Sequence, residues 1–202
     1  QYAMHAGYLL DIKLSEIGKT LSKANTLNYH DAVKRYFKSF DSLCQIAGGD
    51  VELYIENNVL SQANYESYEG INPLMLTHAE EYQQLVKKNN FNLLLDVAHL
   101  KVSCNTLKKN FEFELSSLIE NCTYLHVSDN NGLADTNGTL KENSELFNLL
   151  KKNKIPIFEP GLDKVVEKAV KNKCIKFSTN IKKSIENNEI IFIAVGTPMH
   201  ND

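Results

Sequence analysis

A chain of 202 residues has room for one sizeable hydrophobic core or two small ones. Its apolar (43%) and charged (23%) shares are ordinary for a soluble globular protein, and no apolar run approaches membrane-spanning length. Net charge is only −3 and Arg35 is the lone arginine, which argues against a nucleic-acid surface and against bidentate phosphate recognition.

Strand and helix signals alternate along the chain, the order expected of a parallel sheet. Tyr2-Ala-Met-His5 reads as the tail of a strand. Asn28 to Ala47 carries Val33, Phe37, Phe40, Leu43 and Ile46 at helical spacing and stops at Gly48-Gly49. A strand over 51–55 follows, then a polar loop through residue 73. Thr77-His-Ala-Glu80 reads as a capping box opening a helix to Lys88. A strand over 91–95 precedes a loop and a helix near 112–121. A strand over 123–127 precedes a Gly/Asp/Asn-rich loop, 128–139, and a helix over 142–152.

Beyond Asn153 the texture changes. Ile155-Pro-Ile-Phe-Glu-Pro-Gly161 is a proline-punctuated loop. A helix (162–172), a strand (174–177), a short helix (181–187) and the run Ile190 to Val195 follow, as in a fragment of a second α/β unit. The expected division is therefore 1–150 and 151–202. Cys44, Cys104, Cys122 and Cys174 form no C-x-x-C pair and read as reduced cytoplasmic thiols. The chain opens on Gln1 inside an apolar segment, so its natural start is expected to lie further upstream.

Three apolar runs give out into metal-binding residue types: Ile55 into Glu56, Leu95 into Asp96 and His99, Leu125 into His126 and Asp129. In a (β/α) barrel the C-terminal strand ends carry the chemistry, and mixed carboxylate and imidazole ligands suit Mn²⁺, Zn²⁺, Co²⁺ or Mg²⁺. Each residue has a structural alternative. Glu56-Asn57-Asn58 reads equally as a solvated turn, Asp96 as a helix cap, His126 as a core histidine. Their joint placement at successive strand ends favours metal. His30, His78 and His200 read as surface residues, and Asp129 either caps its loop or meets substrate.

His5-Ala-Gly7, Ile55-Glu56-Asn57, Asp96-Val-Ala-His99, His126-Val-Ser-Asp129 and Asp135-Thr-Asn137, in that order, resemble the xylose-isomerase-like TIM barrels. That superfamily holds sugar phosphate isomerases/epimerases and endonuclease IV-type repair enzymes. The resemblance implies a divalent metal on Glu56, Asp96 and His126, with His99, His5 and Asp135 as further ligands. It also implies catalytic roles for Glu56 and His99. Its implied ligand is a small sugar or sugar phosphate; the acidic balance and lone Arg35 lead us to expect no nucleic acid, and the short apolar runs no membrane. Asn137 stands where the trinuclear pattern has a histidine. With the acidic balance, this weighs against the nuclease alternative. Missing strands leave a catalytically incompetent remnant as a third reading.

Lys154-Ile-Pro-Ile-Phe-Glu-Pro-Gly-Leu162, Ile175-Lys-Phe-Ser-Thr-Asn180 and Ile191-Phe-Ile-Ala-Val-Gly-Thr-Pro198 resemble the NAD-domain interior of UDP-glucose 6-dehydrogenases. The resemblance places Val195, Gly196 and Thr197 in a loop near the NAD. The glycine-rich dinucleotide turn and its acidic ribose partner do not occur, so NAD is implied only for the parent family. Glu159 belongs to this second string and is not taken as a metal ligand. The expected fold is a partial TIM barrel followed by a partial Rossmann-like βα segment. It resembles two joined pieces of sugar-handling enzymes, the product of a fusion or of a sequence-assembly error.

Overall fold

Short apolar runs separated by helical segments fold into a mixed α/β structure around a four-stranded parallel sheet with the sequential order β1-β2-β3-β4. The computed structural model describes residues 2–155 apart from 12, 17–20, 22–24 and 50. The strands are β1 (Tyr2–His5), β2 (Leu53–Glu56), β3 (Asn92–Asp96) and β4 (Cys122–His126). The helices are α1 (Tyr29–Ala47), α2 (Gln62–Ser67), α3 (Ala79–Val86), α4 (Val97–Leu107), α5 (Phe111–Ile119) and α6 (Glu145–Lys152).

Side chains alternate between the two faces of a strand, and here the alternation separates packing from chemistry. Leu53 and Ile55, Leu93 and Leu95, with Met4 and Leu125, share one cluster with Val33 and Phe37 of α1, Leu85 of α3, Leu100 of α4, Leu115 of α5, and Leu146 and Leu150 of α6. The opposite phase of the strands carries Tyr54, Leu94 and Tyr124 and, at the C-terminal ends, His5, Glu56, Asp96 and His126. The Tyr54 and Tyr124 rings meet edge to face at 5.4 Å, and Leu94 in the strand between them is fully buried.

Helix ends follow the polar residues. Asn28 accepts from His30 N and Asp31 N to start α1, and Gly48, at φ +62°, ends it. At α3 the expected capping box is built differently. His78 occupies the cap position without a side-chain bond, Glu81 rather than Glu80 accepts from Thr77 N (3.0 Å), and Glu114 of α5 accepts from Ala79 N (2.7 Å). Two expected loops contain helices. The stretch before residue 73 forms α2 over a small second cluster of Leu10, Leu21, Leu60, Tyr68 and Leu74. The stretch after β3 forms α4 with no intervening loop.

Among the described residues Cys44 is exposed, Cys104 buried and Cys122 half-buried. Among the described residues no helix is long and apolar enough to cross a membrane. Glu159, Cys174, Val195, Gly196, Thr197 and His200 lie outside the described residues.

Candidate functional site

Glu56 and Asp96 sit low among the strand ends with their side chains largely buried, while His5 and His126 stand above them, 53% and 45% exposed. Glu56, Asp96 and His126 each present a ligand atom, and these atoms lie within 4.8 Å of one another. His126 Nδ1 is 3.3 Å from Glu56 Oε1 and 3.9 Å from Asp96 Oδ2. His5, Glu56 and His99 form an overlapping second trio by the same measure. Ligand atoms about 2.1 Å from a shared tetrahedral ion stand about 3.4 Å apart, so these separations are close to what a bound ion requires.

His99 enters from the first turn of α4 and is the most connected of the set. Its Nδ1 donates to Asn57 O (2.9 Å), and its Nε2 faces Asp135 Oδ2 at 3.2 Å and Asp96 Oδ2 at 3.9 Å. A backbone carbonyl only accepts, so Nδ1 carries a proton and Nε2 is the nitrogen turned to the carboxylates, the orientation a metal-ligating imidazole takes. Asp96 takes the capping role weighed from the sequence and keeps one oxygen free of it. Its Oδ1 accepts from His99 N and caps α4, leaving Oδ2 for the site.

The Gly/Asp/Asn-rich loop after β4 brings Asp135 back over the strand ends. Asp129 and Gly138 bond reciprocally at 2.7 Å to close it. Helix α4 pins it through Lys101 Nζ to Asp129 Oδ1 (2.8 Å) and Asn130 O (2.6 Å), and through Asn105 Nδ2 to Gly132 O (3.0 Å). Asp129 therefore pairs with a lysine. Asp135 Oδ1 is buried with no hydrogen-bond partner, an orphaned acceptor on the carboxylate whose Oδ2 faces His99 Nε2. The donor set fits a divalent cation on two counts, mixed carboxylate and imidazole chemistry and this unsatisfied oxygen.

Electrostatics bind the cluster together. Burial pushes the Glu56 carboxyl up, but the His126 hydrogen bond and the imidazoles of His5 and His99 outweigh it and hold the group below its usual range. Burial likewise pulls His99 down, and the Asp135 bond with the Asp96 charge reverses this and lifts it to about 9. The Glu56 bond raises His126, burial lowers His5, and the His99 bond lowers Asp135. Glu56 is buried rather than a solvated turn, and so are Asn57 and Asn58, to which the sequence reading gave no role. Their signal was present in the string Glu56-Asn-Asn, since consecutive amides at a strand end supply backbone-like bonds.

His30 is exposed and accepts at Nδ1 from Lys88 Nζ, while His78 is half-buried against Thr77. Neither approaches the cluster's hydrogen bonds. Two surface cavities also lie away from it. One of about 620 Å³ runs between α1 and Lys88, and one of about 310 Å³ sits at the N-terminal ends of β2 and β3.

Comparison with known proteins concerns the other end of the chain. Residues 140–202 match the family model of the UDP-glucose/GDP-mannose dehydrogenase family, NAD binding domain. The chain is 47% identical over 49 residues to a UDP-glucose 6-dehydrogenase of Rhizobium meliloti (strain 1021), covering 24% of the chain and 11% of that protein. It is 50% identical over 50 residues to the UDP-glucose 6-dehydrogenase TuaD of Bacillus subtilis (strain 168), covering 25% and 11%. It is 50% identical over 46 residues to a UDP-glucose 6-dehydrogenase of Drosophila melanogaster, covering 23% and 10%. The matched stretch thus spans about a tenth of these relatives' length. The family-model match begins upstream of α6, whose Leu146 and Leu150 pack in the core of the sheet.

Proposed function

We propose that residues 1–150 are part of a metal-dependent sugar phosphate isomerase/epimerase-like (β/α) barrel, joined to a slice of a UDP-sugar dehydrogenase NAD domain at 151–202. The observation that carries the first half is the convergence of Glu56, Asp96 and His126 from three adjacent parallel strand ends. The sequential strand order supports a barrel piece, because doubly wound sheets reverse their order at a switch point.

Glu56, Asp96 and His126 would hold one divalent cation, with His99, His5 and Asp135 close enough to extend the ligand set. When bound, such an ion polarises a sugar carbonyl and the neighbouring hydroxyl. Isomerisation or epimerisation moves a proton on the adjacent carbon, which calls for a carboxylate that stays ionised and an imidazole that exchanges a proton. Glu56, held ionised by its imidazole neighbours, suits the first task. His99, with Nδ1 fixed on a carbonyl and Nε2 against Asp135, suits the second. The exposed edges of His5 and His126 leave an approach for a small polar substrate.

For the second half, the match to the dehydrogenase NAD-binding domain supports a slice that includes Val195, Gly196 and Thr197 as the loop near NAD. Both halves would then descend from sugar-handling enzymes.

The decisive experiment incubates the full chain, loaded with Mn²⁺ or Co²⁺, with a panel of aldose and ketose phosphates in D₂O. Deuterium entering the carbon beside the carbonyl, abolished by chelation, supports the reading. No metal retained and no exchange on any sugar overturns it.

A further inference from the structure

The register of the sheet leaves a gap that one side chain fills. Strands β2 and β3 pair Tyr54 with Asn92, Ile55 with Leu93 and Glu56 with Leu94, and there the ladder ends. Asp96 therefore lies beyond the last rung on the β2 side, with a buried backbone N–H and carbonyl still to satisfy. The Asn57 carboxamide takes the place of the missing peptide. Its Oδ1 accepts from Asp96 N at 2.7 Å and its Nδ2 donates to Asp96 O at 3.0 Å. Its own carbonyl oxygen accepts His99 Nδ1 at 2.9 Å. Asn57 is 1% exposed and follows Glu56 directly.

We infer that Asn57 is the positioning residue of the site, clamping Asp96 through its side chain and His99 through its main chain, both against the adjoining Glu56. Only a carboxamide supplies a donor and an acceptor side by side in this place. Aspartate offers an oxygen to the Asp96 carbonyl, where two acceptors repel. Leucine leaves both Asp96 backbone groups buried and unpaired. The inference rests on the metal reading for its consequence, but the clamp itself is a property of the apo protein.

Two readouts on the full chain separate these. The first is Co²⁺ titration followed by visible absorption, which reports ligand geometry. Asn57→Ala and Asn57→Asp should weaken Co²⁺ binding by about 10- to 100-fold, the range for groups that orient metal ligands, and change the shape of the cobalt bands. Ser103→Ala is the control. Ser103 Oγ is equally buried and bonded to Leu60 N and Asn58 O, so it costs stability without touching the cluster. Its cobalt spectrum should match the wild type. The second readout, without metal, is the histidine ring ¹H–¹⁵N spectrum. The wild type should show one slowly exchanging Nδ1 proton from His99; Asn57→Ala keeps the carbonyl that accepts it but frees the segment that carries that carbonyl, so the proton should exchange faster there than in wild type or Ser103→Ala. Wild-type protein that ignores cobalt overturns the metal reading alone, and the ring spectrum still decides the clamp. Asn57 variants that keep both the wild-type cobalt bands and the slow Nδ1 proton overturn the positioning role. If Asn57→Ala does not fold, Asn57→Asp, which keeps the volume and one of the two bonds, carries the same comparison.

Discussion

Asp96 holds His99 from two directions: Oδ1 accepts the His99 backbone N–H at 3.0 Å, and Oδ2 lies 3.9 Å from His99 Nε2. One carboxylate thus starts a helix and faces the site, and the two duties separate by mutation. Asparagine caps a helix as well as aspartate does, so Asp96→Asn should keep the fold within about 0.5 kcal/mol while losing the metal. Asp96→Ala should lose both, at a cost of about 1 kcal/mol for the cap. Elemental analysis beside thermal melts checks this; Asp96→Asn protein with a full metal complement would remove Asp96 from the ligand set.

Gly138 is expected to tolerate no side chain. A Cβ there would stand 2.6 Å from Asp129 O, a backbone atom locked in the reciprocal bond that closes the Asp135 loop. Gly138→Ala should destabilise by about 1–3 kcal/mol through overpacking and should also weaken metal binding, because Asp135 rides on that loop. Urea unfolding together with metal titration reads both; an unchanged unfolding midpoint would mean the loop moves freely.

Stability of the metal-free protein should fall on the alkaline side through His99. Its imidazole, near 6.5 when unfolded, is lifted to about 9 in the fold by Asp135 and Asp96 acting against burial. The folded state therefore binds the proton more tightly. This contribution is complete below pH 6.5 and drains away as pH rises toward 9. His99→Gln should flatten that limb of the stability profile. In acid the opposite trend enters: Glu56 and Asp135, both held low in the fold, lose their contribution as pH falls through and below the ordinary carboxylate range. Chemical denaturation at stepped pH checks both limbs, and a His99→Gln profile parallel to wild type would be inconsistent with the assignment.

The full chain should show no heat of binding with NAD in calorimetry. A Rossmann site anchors the pyrophosphate on a glycine-rich turn at a helix N-terminus and the ribose on an acidic side chain. Neither motif occurs in the sequence, where Gly161 and Gly196 stand alone. Micromolar affinity would mean that the matched stretch recognises the dinucleotide by other contacts.

The strand ends were legible because an apolar run that gives out into Glu, Asp or His is a local signal. Strand ends at Glu56, Asp96 and His126 lie within one residue of expectation. Helix α4 was not legible, because Val97, Ala98, Leu100, Val102 and Cys104 are buried around most of its circumference and show no single apolar stripe. Helix α2 is too short for a period to emerge, and its small cluster draws on distant Leu10 and Leu74. The α3 cap borrows Glu114 from another helix, which no local motif announces. At the site, residue types and strand-end placement were readable. The partner of each was not, since Asn57 reaches Asp96 across 39 positions of sequence.

On the proposed reading of the chain as two joined halves, helix α6 gives the join a mechanical rationale. It seats in the core chiefly by Leu146 and Leu150, one turn apart, with Phe147 and Leu149 beside them, while Lys151 and Lys152 remain outside. Such a leucine pair is an interchangeable plug, because any amphipathic helix presents the same two knobs at the same pitch. A segment of other origin with its own leucines at that spacing would close the core equally well. A recombination breakpoint in or just before this helix is therefore silent to the packing upstream, whereas one inside β3 or α4 would tear the core open.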